Sequence, residues 1–191
     1  MQLLENAIRT KGKAIDADVL LVDSFLNHQV DVELMKATGE AFAQYFGNRP
    51  FTRVVTIESS GIAPASFTAL ALGLPLVIMK KQTSKIMKDG LYRTTVRSFT
   101  KGIDYELTVK KDYFTADDHI LFIDDFLASG EAAFGVLEIA RQAGATIGGI
   151  GIVIEKSFQS GHQRLVEAGI DVYSLARIKS MSANSIEFVD D

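Results

Sequence analysis

A chain of 191 residues, 47% hydrophobic and 23% charged, is long enough to bury one substantial core and is expected to form a single domain, 1–191. Its net charge of −4, from 20 basic and 24 acidic residues, offers no positive field to hold a nucleic-acid backbone, and the lack of any cysteine excludes disulfides, thiolate metal sites and a cysteine nucleophile. No stretch approaches the roughly 20 apolar residues of a membrane span and MQLLENAIRTKGKAI has no apolar export core, so a cytoplasmic protein binding neither membrane nor nucleic acid is expected.

In chain order, the segment ADVLLVDSFLNHQV (17–30) reads as short and strand-like, and 31–46 predicts an amphipathic helix with Leu34, Met35, Thr38, Ala41, Phe42 and Tyr45 on one face. RVVTI (53–57) predicts a buried strand. An Ala-rich helix over 62–72 stops at Gly73 with Pro75 following, and PLVIM (75–79) gives a second strand. Residues 82–118 break the alternation: the polar, basic QTSKIMKDGLYRTT opens a flexible loop of about 82–98, and a β-rich ribbon, TTVRSF then YELTVKKDYF, reads as a β-hairpin insertion. HILFI (119–123) is a third strand. A helix over 131–143, with Ala133, Val136, Leu137 and Ala140 in a stripe, stops at Gly144 before the fourth strand, IGGIGIVI (147–154). Runs this continuous suit strands covered on both faces, so the chain predicts an α/β, doubly wound, mainly parallel sheet. The terminal segments, about 1–30 and 157–191, are expected outside the main alternation, as a small hood over one end.

The four apolar runs end alike: Ile57 leads into Glu58-Ser59-Ser60-Gly61, Met79 into Lys80-Lys81, Ile123 into Asp124-Asp125, and Ile154 into Glu155-Lys156. Ligands of open parallel sheets bind beyond the carboxyl ends of the strands, so charges of both signs are expected on one rim. They suit a ligand with phosphates and a polar ring. Ala128-Ser129-Gly130-Glu131-Ala132 then opens a helix, and its backbone N–H groups with the Ser129 hydroxyl can form a cradle for a monophosphate, since small residues let the backbone itself approach the oxygens. The spacing is not that of a Walker A loop, and as a plain helix N-cap Ser129 would need no ligand. His28, His119 and His162 have no metal-ligand spacing to one another.

The segment LFIDDFLASGEA resembles the PRPP signature of type I phosphoribosyltransferases, and the order of the other features matches that family over essentially the whole chain. The resemblance implies that Asp124 and Asp125 face the ribose hydroxyls of PRPP and stabilise oxocarbenium-like charge, and that Ala128 to Ala132 bind its phosphate. It implies a pyrophosphate loop at Glu58, Ser59 and Ser60, a fixed pyrophosphate contact at Lys81, and a flexible loop at 82–98 that could close as a lid bearing Lys85, Lys88 and Arg93. Leu20, Asn27 and Lys156 would bind the purine, with Phe158 a further stacking candidate or else a core residue. Hypoxanthine-guanine members carry an Asp where this chain has Ala128, so a general base cannot sit there. Glu131, an acid beside a phosphate turn, should point its side chain away.

Within the family the chain is most similar to the bacterial branch that uses xanthine. The implied reaction joins xanthine, through N9, to the phosphoribosyl group of PRPP, giving XMP and pyrophosphate in purine salvage. Mg²⁺ would be held mainly through PRPP and pyrophosphate oxygens, and no site made of protein ligands alone is expected. A homodimer is implied, with Phe46 or Phe51 as candidate interface residues. The alternatives are a guanine or hypoxanthine enzyme, and a non-catalytic PRPP- or purine-sensing regulator of the same fold.

Overall fold

The N-terminal stretch folds back on itself before the sheet begins. In the computed structural model, which describes residues 1–81, 90–98, 103–183 and 185–190, α1 (Gln2–Lys11) is followed by a two-stranded hairpin of β1 (Lys13–Ala14) and β2 (Leu20–Leu21) and a π-helical turn at Asp23–Asn27. Asp31 starts α2 (Val32–Phe46) by accepting the Leu34 N–H at 3.2 Å, an N-cap that satisfies one of the helix's orphan donors. The buried face of α2 is Leu34, Met35, Thr38, Gly39, Phe42 and Phe46. It is rotated from the expected one: Tyr45 is 42% exposed and stacks on Tyr173 at 3.9 Å. Phe46 and Phe51 are core residues in edge-to-face contact, which removes both as interface candidates.

Next come β3 (Arg53–Ile57), α3 (Ile62–Leu72), β4 (Leu76–Lys81), β5 (Leu91–Ser98), β6 (Ile103–Lys110), β7 (His119–Leu127), α4 (Glu131–Ala143), β8 (Thr146–Lys156), α5 (Gly161–Glu167), β9 (Val172–Ser182) and β10 (Ser185–Phe188). Eight strands form one sheet in the order β10-β9-β8-β7-β3-β4-β6-β5. The run from β9 to β4 is parallel, and antiparallel strands finish both edges. Side chains alternate along β7, so Leu121 and Ile123 join the core under α1, α2 and α3, while Ile120 and Phe122 join the core under α4 and α5. Helices on both faces are what the unbroken apolar runs required.

Three expectations need correction. The acidic pair does not follow the third strand but lies inside it: β7 continues to Leu127, with Asp124 opposite Ile152 and Leu127 opposite Glu155, because β8 runs equally far and keeps the ladder satisfied. The loop expected over about 82–98 is too long: 91–98 are β5, which pairs antiparallel with β6 along its length as the hairpin expected from TTVRSF and YELTVKKDYF, while 82–89, with Lys85 and Lys88, lie outside the described residues. The C-terminal segment is not outside the alternation, since β9 and β10 extend the main sheet. It does meet the N-terminal segment: the Met1 amino group donates to the Leu175 carbonyl, and Arg9 lies over the Phe188 ring at 4.5 Å. Among the described residues no helix is long and apolar enough to cross a membrane.

Candidate active site

An open cleft of about 360 Å³ lies along the carboxyl ends of the strands. Its wall joins Leu20 of β2, Lys81 of β4, Asp124 and Asp125 of β7, the whole turn Ala128 to Ala132, and Lys156 of β8. Residues far apart in the chain meet here because β4, β7 and β8 are parallel and end on one side.

The turn owes its shape to Gly130, which is the N-cap of α4 at φ 87°, a left-handed conformation that only glycine adopts without strain. No side chain among the described residues caps this helix, so Ser129 does not act as its N-cap and the first-turn N–H groups remain available to an anion at the positive end of the helix dipole. The Glu131 carboxylate is held by Arg164 of α5 at 2.6 Å, while the residue itself lines the cleft. The same guanidinium donates to the Ser129 carbonyl at 2.5 Å, and the Gly161 N–H donates to the Ala128 carbonyl at 2.9 Å.

Asp124 is only 9% exposed and accepts the Asp125 N–H at 3.1 Å. Burial first, then the neighbouring Asp125, pushes its carboxyl well above the usual carboxylate range, against a smaller downward pull from Lys81. A Cβ on Gly61 would stand 2.9 Å from Asp124 Oδ1, so the turn after β3 closes directly against this carboxylate. Because the folded chain binds this proton more tightly than the unfolded one, the group's contribution to stability is full below the ordinary value of 3.8 and is lost as pH rises through the raised folded value. Asp124→Asn is therefore expected to melt at a higher temperature than the parent at about pH 8, with the gap closing toward about pH 4. A thermal-denaturation series across pH reads this, and a variant less stable than the parent at every pH would contradict it.

Lys156 is 8% exposed; its ammonium donates to the Asp18 carbonyl at 2.5 Å and lies 5.4 Å from the centre of the Phe126 ring. Desolvation lowers its pKa, and the charges of Asp18, Asp16 and Asp125 offset part of that. Lys81 closes the other side of the acidic pair. Its ammonium sits 5.3 Å over the Tyr105 ring, and its N–H donates to Glu58 at 2.7 Å.

Other expected residues fall elsewhere. Glu58, Ser59 and Ser60 are not part of the cleft wall; the Glu58 carboxylate is taken by the Lys81 N–H and, at 3.0 Å, by the Lys80 ammonium. Asn27 ends the π-helical turn, exposed and off the wall, and Phe158 is likewise exposed and off the wall and is not a core residue. Arg93 on β5 pairs with Glu106 at 4.0 Å and is also off the wall. Unanticipated wall residues include Asp18, Arg97, Tyr105 and Phe126. Burial and then Asp124 push the Tyr105 phenol up to about 12. The wall thus combines an uncapped helix N-terminus, the paired carboxylates of Asp124 and Asp125 with those of Asp18 and Glu131, the cations Lys81 and Arg97, and an apolar patch of Leu20 and Phe126 near a desolvated lysine.

No protein-family model matches the chain. It is 56% identical over 189 residues to "Xanthine phosphoribosyltransferase 1" of Clostridium botulinum, covering 99% of this chain and 100% of that one, and 53% identical over 191 residues to a xanthine phosphoribosyltransferase of Listeria monocytogenes, covering 100% of both. Among solved structures, it resembles adenine phosphoribosyltransferase from Rhodothermus marinus with a TM-score of 0.75 at 19% identity, over 93% of this chain and 99% of that one. It resembles the Trypanosoma brucei adenine enzyme in complex with AMP, pyrophosphate and ribose-5-phosphate with a TM-score of 0.77 at 17% identity, over 91% and 79%. At such identities these structures share its fold.

Proposed function

The chain belongs to the xanthine phosphoribosyltransferases, and on that premise we infer that it transfers the 5-phosphoribosyl group of PRPP to N9 of xanthine, giving XMP and pyrophosphate in purine salvage. The observation that supports this most directly is a single cleft running from an uncapped helix N-terminus past two carboxylates to a buried lysine. In the reading proposed here the N–H groups of 129–132 take the monophosphate of PRPP, and Asp124 and Asp125 hold the ribose hydroxyls. Their negative charge faces the ribosyl carbon as its bond to pyrophosphate loosens and positive charge develops. Lys81 and Arg97 attract the departing pyrophosphate. Glu58 serves through Lys81 and Lys80, whose positions it fixes, while Ser59 and Ser60 belong to the turn that closes on Asp124.

The purine rests between Leu20 and Phe126, with Lys156 donating to one of its carbonyls. Adenine would present an amine donor to a cation there, which selects against it. Asn27 enters this reading only through movement of the N-terminal hairpin and its turn. Mg²⁺ would supply charge neutralisation on PRPP and pyrophosphate, held mainly by their own oxygens with help from Asp124 and Asp125. That donor set fits, because the carboxylate oxygens of Asp124 and Asp125 on the cleft wall are the hard donors Mg²⁺ takes alongside phosphate oxygens. We further propose that 1–191 acts as one domain and that two copies pair as a homodimer, through surfaces other than the buried Phe46 and Phe51.

The test is turnover with PRPP and each of xanthine, guanine, hypoxanthine and adenine. Xanthine is expected to have the highest kcat/KM; PRPP binding with no product from any base would point to the regulatory alternative. Lys156→Ala should raise the KM for xanthine about ten-fold to a hundred-fold, the worth of a charged hydrogen bond in a shielded site, while the KM for PRPP changes little. Equal weakening of both substrates would assign Lys156 to the structure of the rim instead.

A further inference from the structure

We propose that Arg164 is a positioning residue for the phosphate-binding turn, setting the direction of its N–H groups and cancelling the charge of Glu131. The inference rests on the assignment of that turn to the monophosphate of PRPP. It begins with peptide geometry. In a trans peptide the C=O and the following N–H point in opposite directions. The Ala128 carbonyl is taken by the Gly161 N–H at 2.9 Å and the Ser129 carbonyl by Arg164 at 2.5 Å, both from α5. With these two carbonyls turned toward α5, the N–H groups of Ser129 and Gly130 are turned the other way, into the cleft. A phosphate meets donors already aligned, so little ordering is left to be done on binding.

The second part concerns charge. Glu131 is the first residue of α4, and an ionised carboxylate at that position would repel the phosphate the turn is built to receive. Arg164 holds it at 2.6 Å with the same nitrogen that reaches the Ser129 carbonyl, while its guanidinium rests over the Phe134 ring at 4.6 Å. One side chain thus both orients the turn and neutralises its only acid. Its helix is fixed in turn, since His162 bonds the buried carboxylate of Glu155 at 2.8 Å, at the end of β8. No other contact ties the Glu131 side chain to an element outside α4 among the bonds described.

The experiment is steady-state kinetics on Arg164→Ala, Arg164→Lys and the double variant Arg164→Ala with Glu131→Gln, alongside calorimetric titration of PRPP and of pyrophosphate. Arg164→Ala should raise the KM and Kd for PRPP about ten-fold, as expected for loss of a charge-assisted hydrogen bond next to an uncompensated acid, with kcat, the KM for xanthine and the affinity for pyrophosphate little changed. Arg164→Lys should fall between, because it keeps the charge and loses the planar fork. Adding Glu131→Gln to Arg164→Ala should recover part of the lost PRPP affinity. Three results would overturn the proposal: unchanged PRPP affinity in Arg164→Ala, equal weakening of PRPP, pyrophosphate and xanthine, or no recovery in the double variant. If Arg164→Ala fails to fold, Arg164→Lys with and without Glu131→Gln decides the same question. A parent protein that binds pyrophosphate but not PRPP would remove the turn's assignment itself, and the proposal with it.

Discussion

Asp124→Asn combined with Asp125→Asn is expected to lower kcat by about 10²–10³-fold or more, the range seen when a preorganised electrostatic group is removed from a reacting centre. Asn keeps the shape and a hydrogen-bonding oxygen, so the ribose hydroxyls retain partners and the Kd for PRPP should change by less than about ten-fold. What disappears is charge matched to the transition state, and that is read in kcat rather than in ground-state affinity. The position of the pair makes the comparison clean. Both residues lie within β7, and β8 holds them in register on one side, so the substitution leaves the backbone where it was. A folded double variant with unchanged kcat would remove the oxocarbenium role from both residues.

Gly130→Val should abolish measurable PRPP binding, a loss of more than about a hundred-fold, while α4 and the sheet persist. A Cβ on Gly130 would not enter the cleft, where a phosphate would sit; it would stand 3.3 Å from the Gly161 Cα on the opposite side. The damage comes through the backbone. A β-branched residue at φ 87° is strained by about 1–3 kcal/mol, and relief requires rotating the peptides whose N–H groups form the cradle. Calorimetric titration measures the loss, with circular dichroism to follow the fold. Normal PRPP affinity in the valine variant would mean that the turn does not bind the phosphate through its backbone.

Local chemistry was legible in the sequence wherever one short segment carried the whole signal. RVVTI became β3 residue for residue, Gly73 and Gly144 ended their helices in left-handed conformations, and LFIDDFLASGEA held the acidic pair and the glycine turn that share one cleft. What remained hidden depended on partners distant in the chain. Whether a strand stops at Asp124 or carries it is decided by how far β8 runs beside it, so charge after an apolar run did not mark the strand's end. Arg97 and Tyr105 reach the cleft because β6 pairs with β4 through Lys81 and Leu107, a register that no local pattern encodes. Tyr45 and Phe46 are neighbours on a helix, and the choice of which is buried was made by the Phe51 and Tyr173 rings that receive them. Phe126 alone had a readable signal, an aromatic placed between two acids and the Ala-Ser-Gly turn.

The bond from Lys156 to the Asp18 carbonyl bears on where the entropy of base recognition is lost. A lysine left to wander at the mouth of a cleft surrenders about 0.5–1.5 kcal/mol of rotamer freedom when a ligand finally fixes it. Here the hairpin loop has already fixed it, so that freedom is given up during folding and not during the encounter with the purine. If Lys156 reads the base as proposed, the loop carrying Asp18 contributes to affinity by holding that lysine in place, beyond any contact its own Asp18 and Val19 make from the cleft wall. Loosening that loop would weaken base binding chiefly through entropy, leaving the enthalpy of the lysine's own contact much as it was.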